Sequence, residues 1–377
     1  MREPIRVLQV LGGTGLGGAE SRVMDLYRNM DRDRVQFDFA VHTEKKGYFD
    51  DEIRRLGGRI YPLPRFRIYN WRAYRRAWKR FFETHPGYAC VHGHMTSTAA
   101  LYLPAAKRGG AALTVAHARS AGTDRGAKGL ATRLLRRGLW KKADICLACS
   151  ALAGQAVFGK RAWERGLVHV VPNAIEVEKY AYDPEKREKM RGRLGLSDRF
   201  VVGHVGRFNV MKNHLFLVEV FHQICRKRPD ATLLLLGEGD CMEAARRRAE
   251  ELSVSERVIF AGNKGNAEDY YQAMDLLIFP SLYEGLPGTV LEAQAAGLPC
   301  LMSDTITGEV ALTELVETES LGQTAQEWAK RALALTEKAG QRRSRLEQIR
   351  AAGFDAKQQA LSLEQFYRTG KGEGLWR

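Results

Sequence analysis

Two glutamates eight residues apart flank a short turn that is rich in glycine and proline. They are Glu284 and Glu292 in "EGLPGTVLEA", which follows the apolar run "LLIFP". The pattern predicts a buried strand, a turn and a helix that begins near residues 287–289, so that the amides of Gly288 and Thr289 point out of the helix start. Such amides favour anions such as phosphate, whereas carboxylates accept hydrogen bonds from hydroxyl groups. The segment therefore predicts a ligand that combines phosphate with hydroxyl groups.

A basic loop upstream could supply positive charge to the same ligand. Arg207 and Lys212 lie five residues apart in "GRFNVMKN", after the predicted strand "FVVGHVG". Two cations at this spacing can converge on a diphosphate, although the loop alone is equally compatible with a solvated basic surface. With the glutamates, the pair favours a nucleotide-sugar: sugar hydroxyls on Glu284, phosphates on the two cations and the helix start, and ribose hydroxyls on Glu292. Two surface carboxylates that stabilise the helix dipole are the alternative.

A glycine-rich turn, Gly12 to Glu20, follows the first predicted strand and precedes a helix. Its glycines would allow a ligand to approach the backbone closely, and the helix start would favour an anion. The spacing is not that of a dinucleotide-binding fingerprint, and a plain tight turn explains it nearly as well.

Two patterns that could bind metal are weaker. Asp31 and Asp33 have the D-x-D spacing of metal-dependent transferases, but they lie in a charged loop after the first helix. Cys146 and Cys149 lie in a predicted strand, where residues three apart point to opposite faces. We therefore expect neither a metal ion nor another cofactor.

The fold class follows from the alternation of apolar runs with amphipathic segments. Residues 5–11, 35–42, 112–118 and 145–150 are predicted strands of the first half, and 200–206, 232–239, 258–262, 276–281 and 299–304 are those of the second. This pattern indicates an α/β fold with two Rossmann-like, doubly wound parallel-sheet domains, each with helices on both faces. Two such domains facing a cleft would place ligands at the carboxyl ends of the strands.

We place the domain boundary in "VVPNAIEVEKY". The expected parts are an acceptor-side domain over residues 1–170, a nucleotide-sugar-binding domain over 171–355, and a C-terminal helix within 356–377 that packs back towards the N-terminal domain.

Composition restricts the class of protein. Apolar residues make up 45% of the 377 residues and charged residues 27%, which is typical of a folded globular protein. No apolar run reaches the roughly 18 residues that a membrane-spanning helix requires, and the first apolar run is too short for a secretory signal. The six cysteines show no pairing pattern. We therefore expect a cytoplasmic protein without disulfides.

The positive charge is concentrated in the first half. Residues 1–170 contain 31 Lys and Arg against 14 Asp and Glu, whereas residues 171–377 contain 28 against 30. The segment 70–86 predicts a helix with an aromatic face of Trp71, Tyr74, Trp78 and Phe81 and a basic face of Arg72, Arg75, Arg76, Lys79 and Arg80. We favour core packing for the aromatic face. The charge of this segment and of 133–142 predicts peripheral association with the anionic inner face of the plasma membrane.

Taken together, these motifs resemble those of the bacterial glycosyltransferases of family 4, which have the GT-B fold, and in particular enzymes of exopolysaccharide or capsule synthesis. The resemblance covers almost the whole chain in order. Its landmarks are "GLGGAE", "VVPNAI", "VGRFNVMKN", the block from Phe260 to Pro299, and the late "GFD".

The resemblance implies roles for individual residues. Arg207 and Lys212 match the pair that holds the donor diphosphate, Glu284 the ligand of the donor sugar, and Glu292 the ribose ligand. Donor-binding backbone and side-chain positions are implied at Gly17, Gly18, Asn263, Lys264, Gly285, Leu286, Gly288 and Thr289. His117 resembles the histidine that faces the reaction centre.

The sequence also departs from the family pattern. Leu286 and Pro287 replace the usual Phe-Gly after the first glutamate, Ala174 replaces the glycine of Pro-Asn-Gly, and Arg119 stands where close relatives often have a second histidine. A buried structural histidine is therefore an alternative interpretation of His117.

The implied activity is transfer of a hexose, with retention of anomeric configuration and without metal, from a UDP-sugar to a lipid-linked or saccharide acceptor. A nucleotide-sugar epimerase of the same fold is one alternative. A nucleic-acid-binding protein is another, but it would leave the glutamate block without a purpose, and we expect no nucleic-acid partner.

Overall fold

The computed structural model describes residues 3–120, 122, 126–372 and 374–375. The chain forms two compact units, each built around its own sheet. The first unit consists of Met1–Ala174 and Asp355–Arg377, and the second consists of Ile175–Phe354. Both sheets are parallel, so the predicted α/β class with two doubly wound sheets is confirmed.

The first unit contains a seven-stranded sheet. Its strands are β1 (Ile5–Leu11), β2 (Val35–Val41), β3 (Ile60–Pro62), β4 (Cys90–Gly93), β5 (Leu113–Ala118), β6 (Ile145–Ala148) and β7 (Val168–Val170). They follow the order β3-β2-β1-β4-β5-β6-β7. Every residue of β2 is buried, as expected for a strand covered on both faces. The order reverses between β1 and β4, and in such sheets ligands bind at the carboxyl ends of the strands beside this reversal.

Eight helices cover this sheet in the described residues. They are α1 (Gly18–Asn29), α2 (Asp50–Arg55), α3 (Trp71–Thr84), α4 (Ala99–Arg108), α5 (Gly126–Arg136), α6 (Ala151–Phe158), α7 (Lys160–Glu164) and, from the end of the chain, α15 (Ala356–Thr369). The Asp355 carboxylate accepts a hydrogen bond from the Lys357 amide and caps α15. The buried Tyr367 of α15 meets Phe37 of β2 edge to face, with ring centroids 5.9 Å apart.

Helix α3 has the predicted amphipathic character. Tyr74, Trp78 and Phe81 are buried, and the five basic residues of the other face are exposed. Trp71 was also expected on the buried face, but this expectation was wrong because 43% of it is exposed. It is the first residue of the helix, and its ring lies beside the guanidinium groups of Arg72 and Arg75, at 5.5 and 5.6 Å from the ring centre.

The second unit contains a six-stranded sheet. Its strands are β8 (Phe200–Val205), β9 (Ala231–Leu236), β10 (Val258–Gly262), β11 (Leu276–Phe279), β12 (Cys300–Ser303) and β13 (Val316–Glu319), in the order β10-β9-β8-β11-β12-β13. Its helices are α8 (Pro184–Leu194), α9 (His214–Lys227), α10 (Met242–Glu251), α11 (Ala267–Ala273), α12 (Gly288–Ala295), α13 (Ala325–Ala339) and α14 (Leu346–Ala351). The strand order reverses between β8 and β11, so this pair marks the ligand-binding edge of the second sheet.

Nine of these strands were predicted from the sequence, whereas β3, β4, β7 and β13 were not. The missed strands have only three or four residues each, too few for a clear alternation or an apolar run. Within the described residues, no helix has both the length and the apolar character needed to cross a membrane.

Candidate active site

The strand reversal of the second sheet positions Lys212 and Glu284. Lys212 ends a short 3-10 turn, Val210–Lys212, that follows β8, and Glu284 lies in the loop after β11. The Asn209 side chain accepts a hydrogen bond from the Lys212 amide at 3.2 Å and so caps the turn. The two loops are joined by a hydrogen bond from the Leu282 amide to the Met211 carbonyl at 2.8 Å. The two segments therefore meet at the predicted ligand-binding edge.

Lys212 and Glu284 form an ion pair. Lys212 Nζ lies 2.7 Å from Glu284 Oε1, and only 15% and 20% of the two side chains are exposed. Lys212 Nζ also lies 4.3 Å from the centre of the Phe279 ring, which stabilises the ammonium group further. Limited exposure makes such a pair stronger than a surface salt bridge. A ligand that carries both phosphate and hydroxyl groups can offer each partner a new contact.

Helix α12 begins at Gly288, inside the predicted range of 287–289. Pro287 occupies the cap position and has no side-chain acceptor for the first amides of the helix. The Thr289 hydroxyl donates to the Val205 carbonyl at 3.3 Å, which ties the helix start to β8. The prediction of a helix start at this edge of the sheet is confirmed.

Glu292 lies on the buried side of α12. Its Oε2 accepts a hydrogen bond from the Tyr271 hydroxyl at 2.8 Å. Burial raises the pKa of Tyr271 well above its ordinary value, and the nearby Glu292 carboxylate adds to this effect. Tyr271 therefore stays a hydrogen-bond donor at neutral pH and orients the carboxylate that was predicted to bind ribose.

The side chain of Arg207 is exposed in the loop directly after β8. This loop is packed tightly against the neighbouring loop after β9: a Cβ atom at Gly237 would lie 2.1 Å from the Gly206 carbonyl oxygen. The Phe208 amide donates to the Glu238 carbonyl at 2.9 Å and joins the same two loops. Gly237 thus fixes the backbone that presents Arg207.

Glu238 is a residue of this site that the sequence analysis did not single out. Its carboxylate accepts a hydrogen bond from the side-chain nitrogen of Asn263 at 3.3 Å, so Glu238 links the loop after β9 to the loop after β10. Asn263 and Lys264 are both exposed there. The available signal was the sequence "LLLLGEGD", in which an acidic residue between two glycines follows a continuous apolar strand.

Two of the predicted donor-binding residues after Glu284 are part of the protein interior. Gly285 and Leu286 are both buried, and Leu286 is only 5% exposed. The leucine therefore packs as a core residue of this loop in the second unit.

Gly17, Gly18 and His117 belong to the first unit, separately from the residues above. Gly17 is the cap residue of α1 and Gly18 its first residue. A Cβ atom at Gly17 would lie 2.2 Å from a carboxylate oxygen of Glu20, so the turn requires glycine unless Glu20 moves. The loop follows β1, one of the two strands at the reversal of the first sheet.

The weaker metal candidates have local structural roles. Asp31 accepts a hydrogen bond from the Asp33 amide at 3.1 Å and forms an ion pair with Arg34 at 3.2 Å, which closes the turn after α1. Cys146 and Cys149 are both buried, and burial raises the pKa of Cys146 to about 12.

His117 lies on β5 and is buried together with two histidines that the sequence analysis missed. They are His92 on β4 and His94 directly after it. His92 Nε2 lies 3.0 Å from His117 Nδ1. Burial lowers the pKa of all three rings well below the ordinary value, and the charge of Arg119 contributes in the same direction. The three rings are therefore neutral at pH 7. The signal was "VHGH", but β4 is too short to be recognised as a strand.

Arg119 connects this cluster to the segment after β7. Its Nε donates to His94 Nδ1 at 3.1 Å, and its Nη1 donates to the Asn173 side-chain oxygen at 2.9 Å. Burial lowers the pKa of Arg119 to about 10, so the guanidinium group keeps its proton at neutral pH. The residue that departs from the family pattern thus contacts the histidine cluster directly.

Comparison with known proteins agrees with this architecture. The family model for group 1 glycosyl transferases matches residues 199–338, and that for glycosyltransferase family 4 matches residues 16–179. The chain is 32% identical over 369 residues to EpsF of Bacillus subtilis strain 168, which is named provisionally as a glycosyltransferase, with 96% of each chain covered.

A second relative is a UDP-Gal:alpha-D-GlcNAc-diphosphoundecaprenol alpha-1,3-galactosyltransferase of Escherichia coli, 31% identical over 36% of each chain. Among solved structures, HepE of Anabaena in complex with UDP superposes with a TM-score of 0.76 at 19% identity, covering 97% of this chain and 99% of HepE. From the full-length match to EpsF, the two family models and the shared architecture, the chain belongs to the family 4 glycosyltransferases of the GT-B fold.

Proposed function

We propose that the chain transfers a hexose from a UDP-sugar to a lipid-linked or saccharide acceptor in exopolysaccharide or capsule synthesis. The observation that carries the proposal is the Lys212–Glu284 ion pair beside the start of α12. Two adjoining loops at one edge of the sheet bring three features together. Lys212 is a cation that can bind phosphate, Glu284 is a carboxylate that can bind hydroxyl groups, and the start of α12 can bind an anion. A nucleotide-sugar requires all three.

The comparisons support the choice of donor and acceptor. HepE has been crystallised with UDP and with UDP-glucose, and the name of the Escherichia coli relative contains a UDP-sugar and a diphosphoundecaprenol-linked acceptor. UDP is therefore the nucleotide we propose, and a lipid diphosphate-linked saccharide is the acceptor class.

The proposed chemistry is assistance to the leaving group. When the bond between the sugar and the diphosphate breaks, negative charge develops on the departing diphosphate. Lys212, Arg207 and the amides at the start of α12 would stabilise that charge, while Glu284 holds sugar hydroxyls and Glu292 ribose hydroxyls. The acceptor hydroxyl attacks on the face that the diphosphate leaves and gives its proton to the departing diphosphate oxygen, so the configuration at the anomeric carbon is retained.

Because protein cations take the role that a divalent ion plays in metal-dependent transferases, we propose that transfer needs no metal or other cofactor. The expected result is an unchanged rate after exhaustive treatment with EDTA. A rate that falls with EDTA and returns on addition of Mg²⁺ or Mn²⁺ would contradict this part of the proposal.

The donor can be identified by thermal-shift measurements against a panel of UDP-, GDP- and ADP-sugars. A ligand that binds only the folded protein raises its melting temperature, by an amount that grows with concentration over Kd. We expect the largest shift with a UDP-sugar. The selected donor should then be consumed only when a saccharide acceptor is added, whereas isomerisation of the donor alone would indicate an epimerase.

We also propose that the first unit associates peripherally with anionic membranes. Ile68 and Tyr69 are 62% and 78% exposed, directly before the basic face of α3. Exposed apolar side chains beside arginines are suited to the interface of an anionic bilayer. Sedimentation with phosphatidylglycerol vesicles should be lost in the double variant Ile68→Ser and Tyr69→Ser, and phosphatidylcholine vesicles serve as the control. Equal binding of both vesicle types would contradict the proposal.

A further inference from the structure

Three buried rings form a compact stack in the first unit. The ring centroids of His92 and His94 lie 4.5 Å apart, those of His92 and His117 5.2 Å apart, and those of His94 and His117 5.7 Å apart. One nitrogen from each ring falls within 4.8 Å of the others, which is a spacing that could hold a metal ion. The hydrogen bonds around the stack decide whether it does.

Both nitrogens of His94 are already engaged. A guanidinium group can only donate, so His94 Nδ1 must be the acceptor for Arg119 Nε at 3.1 Å. The proton of the neutral ring then lies on Nε2, which donates to Gln9 Oε1 at 2.8 Å. A metal ion on His94 would have to displace one of these contacts and lie beside the Arg119 cation. These contacts do not favour a metal site.

Gln9 connects His94 to Tyr367 and, through it, to His92. Because its oxygen accepts from His94, its amide nitrogen is the donor that faces the Tyr367 hydroxyl, at 3.5 Å, the longest contact of the series. Tyr367 can then donate its own proton to His92 Nδ1, which lies 2.6 Å away. His92 thus carries its proton on Nε2 and donates to His117 Nδ1 at 3.0 Å.

The last ring of this series is His117, whose Nδ1 is an acceptor and whose Nε2 therefore carries the proton. Nε2 of His117 is buried, and among the described residues it has no hydrogen-bond partner of normal geometry. Gln9, His92, His117 and Tyr367 are all at most 5% exposed, so bulk solvent has little access to these contacts.

We infer that Arg119 fixes the protonation of His117 through a directional chain of hydrogen bonds, so that an oxygen of the substrate that reaches Nε2 of His117 meets a hydrogen-bond donor and not a base. The chain runs through His94, Gln9, Tyr367 and His92. The role of His117 towards substrate rests on the proposed function, whereas its tautomer is a property of the protein alone. Gln9, His92, His94, Arg119 and Tyr367 act as positioning residues.

The tautomer can be measured without substrate. In protein labelled with ¹⁵N-histidine, two-bond ¹H–¹⁵N correlation spectra distinguish Nε2–H from Nδ1–H rings, and the nine histidines can be assigned with His→Gln variants. We expect Nε2–H for His92, His94 and His117 at pH 7. An Nδ1–H ring at His117, or one zinc ion per chain that is bound by the three rings in the purified protein, would overturn the inference.

Tyr367→Phe tests the chain in a variant that keeps the ring in place. Loss of the hydroxyl removes the donor to His92 Nδ1, so the signals of His92 and His117 should change to a mixture of tautomers. The matched control is Tyr102→Phe, which also removes a buried hydroxyl of the first unit, one that faces the Met95 carbonyl at 3.4 Å. The control should lower the melting temperature similarly and leave the histidine spectrum unchanged. An unchanged tautomer of His117 in Tyr367→Phe would contradict the proposed chain of hydrogen bonds.

If the proposed transfer activity is also correct, Tyr367→Phe should reduce kcat/KM roughly fivefold to tenfold, the effect of one misdirected hydrogen bond. The control Tyr102→Phe should retain the rate of the natural protein. If Tyr367→Phe alters the tautomer of His117 but leaves the transfer rate unchanged, the chain of hydrogen bonds is supported and the role of His117 towards substrate is contradicted. An absence of any transfer in the natural protein would count against the proposed function and leave the tautomer result intact.

Discussion

The two sheets reverse their strand order in the same way, between β1 and β4 in the first unit and between β8 and β11 in the second, yet the edges differ in chemistry. The edge of the second sheet carries opposite charges in direct contact, Lys212 and Glu284. The edge of the first sheet carries neutral, buried histidine rings that donate and accept hydrogen bonds in series. One architecture thus supplies ionic contacts in one unit and neutral, fixed donors in the other, and the side chains at the strand ends make the difference.

The contrast between the two sheet edges is tested most strongly by removing the charge of Lys212 or of Glu284. Lys212→Ala should lower kcat about 10²- to 10³-fold, as is typical when a group that stabilises developing charge is lost. Glu284→Ala should have an effect of the same order on transfer. Both variants should stay folded, with a melting temperature that is lowered to a similar extent, because each change leaves the charge of the other partner unpaired in a largely buried position.

A matched control is Lys227→Ala, which removes an exposed lysine from the last turn of α9 in the same unit. Its activity should be unchanged. Full activity in Lys212→Ala, or equal losses in the two lysine variants, would show that the charge at the strand edge has no specific role.

Acid should destabilise the first unit more than the second. The described histidines whose pKa is lowered by burial are His42, His92, His94, His117 and His169 in the first unit and His204 and His214 in the second. Below pH ~6.5 the unfolded chain takes up protons that the folded rings resist. The stability that these groups contribute is present above that pH and declines as pH falls, by up to about 1.4 kcal/mol per pH unit for each ring.

This prediction can be measured by urea unfolding at pH 7 and pH 5, followed by pulsed hydrogen exchange at one common labelling pH and peptide mass spectrometry. Peptides from β1 and β4 should lose protection at lower urea than those from β8 and β11 once the pH is 5. The reverse order, or no change between the two pH values, would contradict the contrast between the units.

The close packing of loops in the second unit predicts an effect of intermediate size. Gly237→Ala combines a positive φ of 133° with a Cβ atom 2.1 Å from the Gly206 carbonyl oxygen, so it should cost roughly 1–3 kcal/mol of unfolding free energy. Gly195→Ala is the control, because its φ is also positive, at 67°, but no atom lies within 4 Å of the added Cβ. Urea denaturation should show the larger loss in Gly237→Ala, and equal losses would mean that the contact between the loops contributes nothing.

The smallest expected effect concerns the orientation of Glu292. Tyr271→Phe removes one hydrogen bond to its carboxylate, at a cost of about 1 kcal/mol, so the KM for the donor should rise roughly fivefold. The kcat should change little, because ribose is distant from the bond that breaks. A lowered kcat with an unchanged KM would contradict the assignment of Glu292 to the ribose.

Sequence reasoning identified the parts of the second site that depend on local signals. The long apolar strands, the turn and the start of α12 could be predicted because β-rich runs and Gly/Pro turns are encoded within a few residues. It did not predict that Lys212 and Glu284 touch, since that contact joins positions 72 residues apart through the neighbouring strands β8 and β11. It also missed Glu238, whose role depends on the packing of three loops.

In the first unit the sequence pointed to His117 and not to its partners. His92 lies on a strand of four residues, and Tyr367 arrives from α15, 250 positions after His117. No local pattern brings these residues together; the parallel sheet and the return of the final helix do. The burial of Trp71 was predicted wrongly for a related reason. Helical periodicity predicts which residues share a face of the helix, but it does not predict how far along the helix that face is covered by the rest of the protein.

The most direct test of the account is calorimetric titration of UDP and of the UDP-sugar selected by thermal shift into the natural protein, Lys212→Met and Glu284→Gln. If the lysine holds the diphosphate and the glutamate the sugar, Lys212→Met weakens both ligands, whereas Glu284→Gln weakens only the UDP-sugar and leaves UDP bound at least as tightly as before. An equal loss for both ligands in Glu284→Gln, or unchanged UDP affinity in Lys212→Met, would contradict the central claim.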